Sequence, residues 1–280
     1  MSLLVILHRK LQKVVDLFGM RRYAGILFRK LLNRRYGSDR LIRATQNDRT
    51  WLLVPEVALR GAWAEFETVR WLRKVVKPGM TVFDVGANVG QMTLEMAALV
   101  GPGGRVIAIE PGPGNLDVLR RHVGGNGFHD RVTIVEAACS SVSGEEVEFR
   151  IYGEKDTEVG SGHQITSLRT SDDFLPSRTI AAKTVTIDVL CAELRQSPQV
   201  VKIDVEGAEW LVLQGAVETL KRRSPQVLLG FHPFAFDDPT ATAGDILDLM
   251  TSSNYTMDGE LPPNDWQLQE YAFSPAENNQ

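Results

Sequence analysis

Apolar positions recur along this chain first at helical and then at strand spacing. Between residues 1 and 40 they fall at Leu7, Leu11, Val14, Val15 and Phe18, then at Ile26, Leu27, Leu31 and Leu32. Steps of three and four residues place them on one helix face, and Gly19 and Gly25 bracket a break between two such helices. From Met80 the period changes. Thr81–Asp84 and Arg105–Ile109 are short apolar runs, and the helical patterns Val89–Val100 and Asn115–Val123 follow them. Arg131–Ala138 reads as a third strand, and Val200–Ile203 and Gln226–Phe231 as further strands around a helix at Ala208–Lys221. Glu146–Ile151 and Lys183–Ile187 alternate apolar with polar residues, the pattern of an antiparallel pair with one wet face. A helix over Ala243–Met250 and strands over Tyr255–Met257 and Leu268–Phe273 close the pattern. Strands alternating with helices at this spacing predict an α/β fold, a Rossmann-like sheet with helices on both faces.

Charge divides the chain at the same place as the period. Residues 1–40 hold ten Lys or Arg against Asp16 and Asp39, a net +8, so with a total of −4 the other 240 residues carry −12. We take residues 1–45 as a basic amphipathic helical extension and 46–280 as the catalytic domain. Two readings fit the extension. Its apolar stripe packs on the domain or on a second copy in a homo-oligomer, or it lies on an anionic membrane surface as a peripheral contact. Nucleic acid is not expected as a partner, because the acidic remainder repels phosphate. A composition of 43% apolar and 24% charged residues excludes fibrous and disordered classes. Only two cysteines, Cys139 and Cys191, leave no disulfide framework or zinc cluster, so a cytoplasmic setting is the default. Residues 153–178 lack periodicity and are rich in Gly, Ser, Thr, Asp and Glu. A stretch of that length inside a domain suggests an active-site loop, and His163 lies in it.

The first strand and the turn after it carry the chemistry. Val82-Phe-Asp84-Val-Gly86-Ala87-Asn88-Val-Gly90 runs from a buried strand through glycines into a helix, a geometry that lets backbone approach a ligand at the carboxyl edge of a doubly wound sheet. Twenty residues on, Glu110 closes the second strand, placed to accept hydrogen bonds from ribose hydroxyls. The dinucleotide pattern G-x-G-x-x-G is not met, since Asn88 and Gln91 stand at its second and third glycines, and no Gly-Lys-Ser/Thr phosphate loop occurs. Asp84 would repel a pyrophosphate but suits a cationic ligand bearing an amino acid. S-adenosylmethionine fits, as the cofactor of a methyltransferase.

Asp84-Val-Gly-Ala-Asn-Val-Gly90, Ile109-Glu-Pro111 and Val201-Lys-Ile-Asp-Val-Glu-Gly-Ala-Glu209 together resemble the FkbM family of S-adenosylmethionine-dependent methyltransferases. Thr186-Ile-Asp188, Leu213-Gln-Gly-Ala216 and Phe231-His232 extend the resemblance over roughly residues 60–233. It implies a class I methyltransferase fold, seven-stranded with the last strand antiparallel, and O-methylation of hydroxyls on glycans or polyketide-type natural products. The fifth strand departs from the family: it ends Leu229-Gly-Phe-His232, where Glu-x-His is common.

By the resemblance and by position, Asp84, Gly86, Ala87, Asn88 and Gly90 cradle the methionine part of the cofactor. Glu110 holds the ribose, and Asn126 with Ala138 and Cys139 borders the adenine. A hydroxyl acceptor needs a general base within hydrogen-bond reach, and attack in line with the methyl–sulfur bond makes positioning important. Asp204, Glu206 and His232, at the carboxyl ends of the fourth and fifth strands, are the candidate catalytic groups. No metal is expected; the alternative is that these three hold a divalent cation. Two other functions stay open: a nicotinamide-dependent oxidoreductase on a similar fold, and a non-catalytic membrane-associated binding module.

Overall fold

The structure, a computed structural model, describes residues 40–59, 66–152, 164–165, 177–236, 239–258 and 269–276. Residues 1–39 of the basic extension, most of the loop 153–178 and His163 lie outside the described residues. The description opens on strands β1 (Ile42–Gln46) and β2 (Arg49–Leu53), an antiparallel hairpin. Asn47 and Asp48 turn it with φ of 48° and 62°, a left-handed pair these side chains tolerate. The helical extension drawn to residue 45 is therefore corrected: from Ile42 the chain is strand. Ile42, Ala44 and Gln46 are sheltered and Arg43 and Thr45 exposed, a period of two.

Helices α1 (Pro55–Leu59) and α2 (Phe66–Val75) lead into β3 (Thr81–Val85), α3 (Gln91–Val100), β4 (Arg105–Ile109), α4 (Pro113–Gly125) and β5 (Val132–Val135). An excursion follows, of β6 (Ala138–Cys139), β7 (Glu146–Tyr152), β8 (Gln164–Ile165) and β9 (Ser177–Val185), paired in the order β6-β9-β7-β8. The chain returns through α5 (Ile187–Leu194), β10 (Val200–Ile203), α6 (Glu209–Gln214), α7 (Val217–Arg223) and β11 (Gln226–Phe231). It ends with α8 (Pro239–Ser252), β12 (Tyr255–Met257) and β13 (Gln269–Pro275).

Seven strands form one sheet in the order β5-β4-β3-β10-β11-β13-β12. β3, β4, β5, β10 and β11 run parallel, and β13 is antiparallel to both its neighbours. Each face has its own core. Phe83, Val85, Ile107 and Ile109 pack with Ile187, Val212, Leu220 and Ile246 on one side. On the other, Val82, Val106 and Ala108 pack with Leu72, Met96, Leu116 and Leu119. Apolar side chains on both faces explain why the parallel strands read as continuous apolar runs. The order in which strands are added to the sheet reverses between β3 and β10, and such a switch point opens a crevice at the carboxyl edge.

Two elements depart from the pattern. The strand drawn to Ile187 stops at Val185, because the Thr186 hydroxyl accepts from Val189 N–H at 3.1 Å and caps α5. The single helix drawn over Ala208–Lys221 breaks at Gly215, where a Cβ would stand 2.2 Å from the Ser140 carbonyl oxygen. Asp188 then caps the second piece, accepting from Glu218 N–H at 3.0 Å and Thr219 N–H at 2.7 Å. Among the described residues no helix is long and apolar enough to cross a membrane.

Candidate active site

The carboxyl ends of β3, β4 and β10 open onto a cleft of about 850 Å3, its open mouth included. Asp84, on β3, is fully buried. Its Oδ2 accepts from the Thr93 hydroxyl at 2.5 Å, and Lys202 Nζ lies 3.9 Å from Oδ1. Among the described residues Oδ1 has no hydrogen-bond partner. Burial raises the Asp84 pKa, against the pull of Lys202 and Thr93.

The turn after β3 serves packing as much as a ligand. Gly86 has φ 78°, and a Cβ there would stand 1.9 Å from the Asp204 carbonyl oxygen. The N–H groups of Gly86 and Ala87 both donate to Ile109 O at 3.0 Å, so they are committed within the protein. Asn88 (φ 50°) donates its backbone N–H to Glu110 Oε2 at 2.9 Å, and its own Oδ1 is buried without a hydrogen-bond partner among the described residues. Gly90 does not line the cleft. Its φ of 86° favours glycine, and a Cβ would stand 2.4 Å from Leu119 Cδ1, so the position serves the packing of α3 on α4.

Glu110 lines the cleft 4% exposed. Burial raises its pKa to about 7, although hydrogen bonds from Gly112, Asn88 and Asn115 favour the anion. Its Oε1 accepts from Gly112 N–H at 2.8 Å and from Asn115 Nδ2 at 3.3 Å, while Oε2 accepts from Asn88 N–H at 2.9 Å and retains a further lone pair. Ala138 and Cys139 also line the cleft, and burial pushes the Cys139 thiol up to about 12, so it stays neutral. Asn126, taken as an adenine contact, is elsewhere. Its amide N–H donates to Leu52 O and His122 O, each at 2.8 Å, and its Oδ1 accepts from Leu52 N–H at 2.9 Å. It ties the end of α4 to the hairpin.

Beyond Asp84 the edge is a chain of charges. Lys202, 3% exposed, donates to Asp204 Oδ2 at 3.0 Å. Burial works against charge on Asp204, but Lys202 and His232 together hold its carboxyl below the ordinary value. The loop after β10 passes through Glu206 (φ 55°) and Gly207 (φ 109°). Glu209 fastens this loop: its Oε1 accepts from Gly207 N–H at 3.0 Å and from His232 Nδ1 at 2.7 Å. On the other side of the ring, Nε2 lies 3.3 Å from Glu206 Oε2 and 3.7 Å from Asp204 Oδ1. The structure thus brings together all three candidate catalytic residues. Burial opposes charge on His232, but Glu209, Glu206 and Asp204 outweigh it and raise its pKa to about 9. His232 is therefore an imidazolium at neutral pH. An imidazolium has no lone pair to accept a proton, which argues against His232 as the resting base.

Sequence reading missed Glu270 here. It pairs with Gly230 across the β11–β13 register and accepts from the Thr68 hydroxyl at 2.5 Å. Gly230 leaves room for Asp204, whose Oδ1 would lie 3.3 Å from a Cβ there. No local motif marks Glu270, because Thr68 is 202 positions away in the chain. Among the described residues no group of three or more His, Cys, Asp or Glu is arranged to hold a metal ion.

A sheet of this strand order with its seventh strand reversed, an acidic first strand and a glutamate ending the second, defines a class I methyltransferase. The chain belongs to the FkbM methyltransferase family, whose methyltransferase domain matches residues 84–257. It is similar to a demethylmenaquinone methyltransferase of Symbiobacterium thermophilum, 32% identical over 79 residues, 28% of this chain. The match spans about a third of that relative's length, 32%. Among solved structures it resembles an FkbM methyltransferase of Methylobacillus flagellatus, with 16% identity and TM-score 0.44 over 74% of this chain and 50% of that one. An O-methyltransferase of Bacillus cereus in complex with S-adenosylhomocysteine gives 12% identity and TM-score 0.46 over 75% of this chain and 81% of that one.

Proposed function

We propose that the protein transfers a methyl group from S-adenosylmethionine to a hydroxyl of a sugar, glycan or polyketide-type acceptor. The observation that carries this reading is Asp84 Oδ1, a buried oxygen without a hydrogen-bond partner among the described residues, in a cleft that Glu110 also lines. A buried acceptor left unpaired is costly, and a cationic ammonium satisfies it. A ribose hydroxyl suits the lone pair left on Glu110 Oε2. Two carboxyl groups in one cleft disfavour a pyrophosphate, and with it the nicotinamide reading.

The cofactor, when bound, supplies an electrophilic methyl on a sulfonium. The chain's own residues then do the rest. Asp204, its charge fixed by Lys202, accepts a hydrogen bond from the acceptor and orients it. Asp204 is engaged by Lys202 at 3.0 Å, so the proton goes to Glu206, which lines the same cleft. His232 keeps its proton throughout and balances the carboxylates around it.

Calorimetric titration of S-adenosylmethionine and S-adenosylhomocysteine tests the reading. We expect micromolar binding to the wild type and a loss of at least about tenfold in Glu110→Ala, as for removal of the acceptor of a charge-assisted hydrogen bond. No binding by folded wild type would overturn it.

A further inference from the structure

Outside the family match, the tip of the hairpin β1–β2 packs behind the cleft wall, against Gln91. Gln46, the last residue of β1, is 8% exposed. Its Oε1 accepts from Gln91 Nε2 at 3.1 Å, and Gln91 both opens α3 and lines the cleft. Gln46 Nε2, on the same carboxamide, is buried with no hydrogen-bond partner among the described residues. A carboxamide with one atom satisfied and a buried donor left over is costly unless a ligand acceptor meets it.

Two further observations say that the missing acceptor is an anion. α3 is ten residues long and has no side-chain cap, so the N–H groups of its first turn have no acceptor within the helix and favour negative charge. One turn along the same face, buried Glu95 meets two cations: Arg73 Nε at 2.7 Å and Arg49 Nε at 3.7 Å. Arg49 is the cross-strand partner of Gln46, and its Nη1 is also buried without a hydrogen-bond partner among the described residues. Positive charge is thus in excess beside Gln46. The turn after β3 cannot meet an anion with Gly86 and Ala87, whose N–H groups are committed to Ile109 O.

We propose that Gln46 is a binding residue for the cofactor, its carboxamide N–H donating to the carboxylate at the amino-acid end, beside the first turn of α3. This rests on the S-adenosylmethionine reading. It makes the hairpin a part of the cofactor site, with Asp84 taking the ammonium and Gln46 the carboxylate.

The test compares S-adenosylhomocysteine with 5′-methylthioadenosine, which keeps the nucleoside and lacks the amino-acid end, by calorimetry on the full chain. Gln46→Leu should bind S-adenosylhomocysteine about ten- to a hundredfold more weakly, the range of one hydrogen bond to a charged group, and methylthioadenosine within twofold of wild type. Equal losses for both ligands, or no loss, would overturn the assignment. Should Gln46→Leu fail to fold, Gln46→Glu decides. It keeps an oxygen for Gln91 and sets a negative charge against the carboxylate, so only S-adenosylhomocysteine should weaken. Wild type binding both ligands equally would overturn this inference and the Asp84–ammonium contact with it, while leaving the nucleoside end of the cofactor bound. Wild type binding neither would overturn the cofactor reading beneath it.

Discussion

Glu206 holds a left-handed backbone, φ 55°, which costs a non-glycine residue of order 1–3 kcal/mol and persists only where its surroundings impose it. Here Glu209 imposes it by fastening Gly207 and His232 with one carboxylate oxygen. The strain aims Glu206 at the cleft and at His232 Nε2. Glu206→Gln should therefore lower kcat by about a hundredfold or more, the scale of general-base catalysis, with S-adenosylhomocysteine affinity within twofold of wild type. His232 separates this assignment from its rival. If its imidazolium balances the carboxylates, kcat falls as pH rises through about 9, and His232→Asn removes that limb of the profile. A wild-type kcat that rises through pH 9 would instead make His232 the base. The candidate groups themselves were legible: Asp84, Glu110, Asp204, Glu206 and His232 all fall at or just beyond the carboxyl ends of strands that read clearly as apolar runs. The proton inventory was not, because it depends on Glu209 meeting a histidine 23 residues away.

Among the elements, those with strong periodicity lie where the pattern puts them, β3, β4, β10 and β11 within a residue or two. The hairpin β1–β2 escaped because its partners are remote. Leu52 is held by Asn126, 74 positions on, and Val54 N–H by His122 Nε2 at 2.9 Å. His122 also contacts Val89 O through Nδ1 at 2.7 Å, so one buried ring joins the hairpin to the turn after β3. Burial lowers its pKa to about 4, which keeps it neutral, with Nε2 the acceptor and Nδ1 the donor. Gly-Gly-Asn-Gly reads first as a turn, and Asn126 does stand in the turn that ends α4, where its side chain closes the helix against β2. Asn126→Ala removes three hydrogen bonds and should cost about 1–3 kcal/mol in urea denaturation. Asn126 grips the end of the hairpin remote from Gln46, so S-adenosylhomocysteine affinity should stay within about threefold. A tenfold loss of affinity without loss of stability would restore Asn126 as an adenine contact.

Over the whole molecule, the site joins the family domain to elements that flank it. The match runs from Asp84 to Met257, whereas Gln46 comes from before it and Glu270 from after it. The central sheet thereby buries ionisable groups from its first strand to its last, and their titration should govern stability. His122, lowered to about 4, contributes stability that is lost as pH falls below 6.5. Asp204, also lowered, loses its contribution at still lower pH. Glu110 has the opposite sign: raised to about 7, it destabilises progressively from about pH 4.5 to 7 as the buried carboxyl ionises. His232 stabilises fully below 6.5 and loses that contribution as pH rises through about 9. Below pH 6.5 the signs oppose. Above it Glu110 and His232 act together, and Asp84 and Glu270, both raised by burial, act in the same direction where they ionise. The ligand-free protein should thus be most stable near pH 6–6.5, and its melting temperature should fall by several degrees between pH 6.5 and 9. In His232→Asn the fall should be shallower, even though the variant starts lower, because three carboxylates then face no imidazolium at any pH. A wild-type melting temperature that is flat or rising over that interval would mean that His232 is not charged in the folded protein, and the division of labour between Glu206 and His232 would fail with it.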